Sequence, residues 1–76
     1  MRLTPDQRRA VIITAALRIA RDGHLSDVTH GTVAKRCTVH TSTATVKRYF
    51  GDRAALWRAV IDADERLALQ GRELGL

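Results

Sequence analysis

The chain has 76 residues, which allows one small domain, because a chain of this length buries only about 60% of the surface that its unfolded form exposes. Its residues are 45% hydrophobic and 28% charged, with one proline and five glycines, a composition that excludes long disorder. Thirteen Lys and Arg against eight Asp and Glu leave a net charge of +5, which favours a polyanionic partner.

The single cysteine, Cys37, excludes an internal disulfide, and no second cysteine pair is present to build a structural zinc site. This usage is typical of a reducing, cytoplasmic setting. The polar first residues lack the apolar run of a signal peptide, and no stretch of 18 apolar residues predicts a membrane span. We therefore expect no metal, no cofactor and no membrane partner, and a fold held together by helix packing or by a second subunit.

The first predicted helix begins at Pro5, where Thr4 provides a cap and Gln7 completes a capping box. It ends at Gly23, a residue that commonly terminates helices. A short loop follows, and Thr29 is the expected cap of a second, short helix. The apolar residues that recur at helical spacing along the first helix are Ile12, Ile13, Ala16, Leu17, Ile19 and Ala20.

A hydroxyl-rich segment follows the second helix. Residues 38–45 contain five Ser or Thr residues and no acid, and such weak helix formers favour a turn followed by a helix cap. A third helix is predicted from about Thr41 or Ser42 to Tyr49, with Val46 and Phe50 on its inward side, and Gly51 ends it.

Asp52 is the expected cap of a fourth helix over about residues 52–70. No sustained alternation of apolar and polar residues predicts a strand. The predicted fold is therefore all-α: residues 1–76 form one small four-helix domain. The fourth helix has a wide apolar side, which makes a homodimer through this helix one hypothesis. Its residues are Leu56, Trp57, Val60, Ile61, Ala63 and Leu67.

The positive charge is concentrated in the middle of the chain. Residues 28–51 have a net charge of +4 and no acid, whereas residues 1–27 have +2 and residues 52–76 have −1. Two short helices with a basic, hydroxyl-rich second member are typical of a helix-turn-helix, here about residues 29–50. The sequence therefore predicts binding to double-stranded DNA.

The predicted DNA contacts follow from the side chains available. Hydroxyls at the start of the third helix can form hydrogen bonds with base edges in the major groove. The basic residues and the tyrosine nearer its end can contact phosphates. Arg53 and backbone N–H groups at the start of the fourth helix suit a further phosphate. The candidate DNA-binding residues are Lys35, His40, Thr41, Ser42, Thr43, Thr45, Lys47, Arg48, Tyr49 and Arg53.

The segment from Thr41 to Leu56 has the sequence TSTATVKRYFGDRAAL. It resembles the recognition helix and the start of the fourth helix of TetR-type repressors. Residues 33–37 and 9–23 are similar to the second and first helices of that family, so the resemblance covers about residues 8–62. It implies that the third helix enters the major groove, that one ring of the Tyr49–Phe50 pair faces phosphate and the other faces the core, and that a dimer binds palindromic DNA.

Three differences from the family stand out. Lys47 replaces a usual tyrosine, and the turn between Cys37 and Ser42 is about two residues longer than the family's and lacks its glycine. The chain also stops where the family's ligand-binding domain would begin, so we expect no small-molecule effector. The resemblance implies a transcription regulator of the repressor type, in the cytoplasm of a bacterial cell or a bacteriophage-infected host.

Simpler interpretations exist for several of these residues. Val46, Phe50, Leu56 and Trp57 fit core positions, and Cys37 fits a small buried apolar position. His40 suits either DNA contact or turn packing, and residues 41–45 suit either base contact or a plain cap.

Two other classes of function remain open. One is a DNA-packaging or recombination accessory, or a protein-interaction adaptor, with the same fold; the other is a helical interaction module with an incidental basic face. No enzyme motif is present in the sequence, so we expect no catalytic residues.

Overall fold

The computed structural model describes the backbone of residues 2–73 and the side chains of residues 2–67. Its regular elements are α1 (Pro5–Asp22), α2 (His30–Arg36), α3 (Thr43–Phe50) and α4 (Arg53–Glu73), with a single 3₁₀ turn at Leu25–Asp27 between α1 and α2. No strand occurs within residues 2–73. The prediction of an all-α fold with four helices is confirmed.

The ends of α1 lie where the sequence predicts them. The Thr4 hydroxyl accepts a hydrogen bond from the Gln7 amide at 3.1 Å, and the Gln7 side chain accepts one from the Thr4 amide at 2.9 Å. Gly23 is the C-cap, and its N–H donates to the Ile19 carbonyl. Two backbone donors that α1 would leave without partners are thus satisfied at its start.

The core consists of one buried apolar cluster to which every helix contributes. α1 supplies the largest share because it packs against both α2 and α4. Isolated short helices are unstable in water, so α2 and α3 depend on the side chains that they bury here. The buried apolar residues are Ile12, Ala15, Ala16, Leu17, Ile19, Val28, Val33, Val46, Phe50, Leu56 and Val60.

Trp57 departs from its predicted core position. It is half-buried at the edge of the cluster, and its indole N–H donates to the Val28 carbonyl at 2.7 Å. The polar end of the ring needs a hydrogen-bond partner, which keeps it at the border of the core. This bond joins α4 to the loop that precedes α2.

Gly51 connects α3 to α4 in a conformation that other residues avoid. Its φ and ψ are 82° and −147°, and its N–H donates to the Lys47 carbonyl at 2.7 Å. The carbonyl of Gly51 lies 2.8 Å from His30 Nε2, so the junction is also held by the start of α2. Asp52 then caps α4 through its carboxylate, which accepts from the Ala55 amide at 2.9 Å, as the sequence predicts.

None of the helices in the described part of the chain is long and apolar enough to cross a membrane.

Replacing Gly51 by alanine is expected to lower the free energy of unfolding by about 1–3 kcal/mol, because this backbone region is nearly restricted to glycine. Urea unfolding followed by circular dichroism measures the change. Gly31→Ala is the control: it lies in α2, where an added Cβ would meet only the Thr29 hydroxyl oxygen at 4.0 Å, so its stability should stay the same or rise by up to about 1 kcal/mol. Equal losses in the two variants would contradict the assignment of strain to Gly51.

Candidate nucleic-acid interface

The third helix begins slightly later than the sequence predicts. Ser42 is the N-cap, and α3 runs from Thr43 to Phe50 rather than starting at Thr41. Val46 and Phe50 are buried, as predicted, which leaves the opposite side of α3 facing solvent. On that side Ala44 and Arg48 follow each other at a spacing of four residues.

Thr41 does not offer its side chain to a partner. It is 7% exposed, and its hydroxyl donates to the Val39 carbonyl at 2.9 Å. The extended turn folds this residue inward, and the buried hydroxyl needs an internal acceptor. The Thr41 hydroxyl is therefore engaged within the turn, and the base contact by Thr41 stays a prediction.

Thr45 takes part in the helix cap, which is one of the two roles that the sequence leaves open for residues 41–45. Its amide donates to the Ser42 hydroxyl at 3.1 Å, and the two hydroxyl oxygens lie 2.9 Å apart. Thr45 is half-buried, whereas Ser42 and Thr43 are exposed. The hydroxyls at the start of α3 therefore divide into a capping pair, Ser42 and Thr45, and a free group, Thr43.

A surface groove of about 440 Å³ lies between α2 and the start of α3. It brings together five of the ten predicted site residues: a lysine from α2 and four residues that precede or open α3. Small side chains on α2 keep the groove open. Its lining residues are Gly31, Ala34, Lys35, Cys37, His40, Thr41, Ser42 and Thr43.

The remaining predicted residues lie outside this groove. Lys47 and Arg48 are exposed near the end of α3, and Tyr49 is half-buried beside the core. Within residues 2–67, neither cation forms an ion pair, and the same holds for Lys35. Arg36, the fourth cation of the basic segment, pairs with Asp22 at 3.1 Å on the surface.

The start of α4 differs from a simple anion site. Asp52 precedes the first turn as its cap, and its carboxylate already accepts the Ala55 N–H. The Arg53 guanidinium lies 5.2 Å from the centroid of the Trp57 ring, an arrangement that favours a cation over an aromatic face. Arg53 remains exposed. The Ala55 N–H, one of the backbone donors predicted to be available to a phosphate, is already bonded to the Asp52 carboxylate.

Two arginines of α1 contact backbone carbonyls of the turn and of α3. Arg9 donates to the Tyr49 carbonyl at 3.0 Å, and its guanidinium lies 4.4 Å from the centroid of the Phe50 ring. Arg8 donates to the His40 carbonyl at 3.4 Å. These contacts span 40 and 32 residues of sequence, so no local pattern could reveal them.

Comparison of the chain with protein-family models, with curated proteins and with solved structures finds no match. The resemblance to TetR-type DNA-binding domains and the interpretation of α2 and α3 as a helix-turn-helix stay predictions drawn from the residues themselves.

Replacing Ser42 by alanine is expected to lower the free energy of unfolding by about 1 kcal/mol, because the Thr45 amide loses its capping acceptor. Ser42→Asp should retain most of the stability, since a carboxylate caps equally well and suits the positive end of the helix. Thermal and urea unfolding of both variants measure the difference. An aspartate variant as unstable as the alanine variant would contradict the capping role.

Proposed function

We propose that the protein is a sequence-specific double-stranded DNA-binding transcription regulator, with α3 as its recognition helix. The observation that carries the proposal is the exposed, acid-free surface formed by α2, the following turn and α3. Lys35, Lys47 and Arg48 are exposed on it, together with the small polar groups of His40, Ser42 and Thr43. A surface of this composition suits a polyanion that also carries hydrogen-bonding groups.

The two ends of α3 support different parts of this function. Short side chains at the start of the helix let the backbone approach base edges closely, and the Thr43 hydroxyl both donates and accepts hydrogen bonds. Lys47 and Arg48, near the other end, suit phosphate oxygens beside the groove. The resemblance to TetR-type DNA-binding domains supports the same orientation of α3.

The structure gives this surface a rigid support. Val46 and Phe50 fix α3 to the core, and Arg9 and His30 hold the carbonyls of Tyr49 and Gly51 at its far end. Rigid presentation favours specific recognition, because fewer side chains and loops must be ordered when the complex forms.

Binding to duplex DNA is expected to weaken at least about tenfold between 50 and 200 mM salt, because displaced counterions dominate the affinity when several phosphates are contacted. Arg48→Ala should reduce affinity for most sequences alike and lower the slope of log affinity against log salt by about one unit. Fluorescence anisotropy with duplexes selected by the wild-type protein measures both quantities.

Arg58→Ala is the matched control for Arg48→Ala. It removes the same charge from an exposed position on α4, away from α2, the turn and α3, and should change affinity and salt slope little. Equal effects of the two substitutions would show that only net charge matters. Salt-insensitive binding, or no binding to duplex DNA, would contradict the proposed function itself.

We also propose that the regulator binds DNA as a homodimer through α4. Ile61 and Leu67 are each 45% exposed on this helix. Ile61 lines a groove of about 310 Å³ together with Leu17, Ala20, Leu25, Val60 and three charged residues, Arg21, Asp64 and Glu65. A second copy that covers these apolar side chains would give a two-fold symmetric protein, which matches a palindromic site.

Ile61→Glu is expected to shift the protein towards the monomer, because a charge placed in an apolar interface loses its hydration. Sedimentation equilibrium of the wild-type and variant proteins at micromolar to high micromolar concentration measures the change. Asp62→Asn, a substitution at an exposed position of the same helix outside this groove, is the control. A wild-type protein that remains monomeric throughout this range would contradict the dimer.

A further inference from the structure

The turn before α3 exposes an apolar side chain in polar surroundings. Among the described side chains, the large apolar residues with high exposure are Val39 at 36%, Ile61 at 45% and Leu67 at 45%. The latter two share one helix, α4, and belong to the proposed dimer surface. Val39 lies apart from them, between the exposed residues Thr38 and His40.

The backbone around Val39 is held on both sides. Its own carbonyl accepts the buried Thr41 hydroxyl at 2.9 Å, and the next carbonyl, of His40, accepts the Arg8 guanidinium at 3.4 Å. The Cys37 amide completes the end of α2 through the Val33 carbonyl at 3.1 Å. The turn is therefore a defined structure that fixes Val39 relative to the start of α3, where base contacts are expected.

The apolar side chain of Val39 limits which groups of DNA it can contact favourably. In the major groove, base edges present hydrogen-bonding groups, with one apolar exception, the C5-methyl group of thymine. Val39 has no hydrogen-bonding group and so gains nothing from the polar edges or from phosphate. A fixed valine beside the recognition helix suits a methyl group that would otherwise face water.

We propose that Val39 contacts the C5-methyl group of a thymine, an inference that rests on the function proposed above. Residues 38–40 would then form a second base-reading element beside α3. The longer turn, which departs from the TetR-type pattern, would then extend the contacted sequence beyond the bases that α3 itself reaches. Thr43 and Ala44 also carry methyl groups near the start of α3, so the test must assign the thymine to Val39 specifically.

The experiment replaces each thymine of a duplex selected by the wild-type protein with uracil, one at a time. Uracil pairs identically and lacks only the C5-methyl group. For the wild-type protein, one replacement in each half-site should weaken binding about fourfold, the effect of exposing roughly one buried methyl group. For Val39→Ala, the same replacement should have less effect, because the two γ-methyl groups of Val39 that would reach the thymine methyl are removed.

Val11→Ala makes the same chemical change at a half-buried position on α1 and serves as the control, and thermal unfolding verifies that both variants fold. This control should keep the wild-type response to uracil. The inference is overturned if Val39→Ala and the wild-type protein respond alike to every replacement, which would leave Val39 a packing residue of the turn. Failure to select any duplex would overturn the proposed function, and the inference with it.

Discussion

The third helix has only eight residues, Thr43–Phe50, and a helix of this length is unstable on its own in water. Its existence depends on what holds it: two buried side chains, Val46 and Phe50, a serine cap at its start, and a glycine at its end. The rest of the structure follows from this constraint. α3 packs mainly against α2, which in turn packs against α1, and the solvent-facing side of α3 is left free for other chemistry.

The same constraint explains why charged and polar side chains bridge distant parts of the chain. Arg8 and Arg9 of α1 donate to the carbonyls of His40, in the turn before α3, and Tyr49, near the end of α3. His30 lies within hydrogen-bond distance of the Gly51 carbonyl. The last carbonyl groups of a short helix have no partner within the helix, so bonds from distant side chains give these acceptors a donor. The exposed cations Lys35, Lys47, Arg48 and Arg53 are the ones that the proposed interface offers to phosphate.

Local features of the fold were readable from the sequence, because capping and termination depend on neighbouring residues. Thr4, Thr29 and Asp52 cap helices as predicted, and Gly23 and Gly51 end them. The features that the sequence did not reveal depend on tertiary packing. Thr41 turns inward, and Arg36 pairs with Asp22 across 14 residues. In the candidate site, Thr43 and the cations Lys35, Lys47, Arg48 and Arg53 are exposed, and their contact with DNA stays a prediction.

The central claim is that the α2–α3 surface reads the sequence of duplex DNA. Selection of bound fragments from random duplex DNA, at a salt concentration near 150 mM to suppress non-specific binding, tests this claim most directly. The account predicts enrichment of a bounded motif that is lost when selection is repeated with a Thr43→Ala, Lys47→Ala, Arg48→Ala triple variant. Sequences that stay unenriched with the wild-type protein, or an unchanged motif with the triple variant, would contradict it.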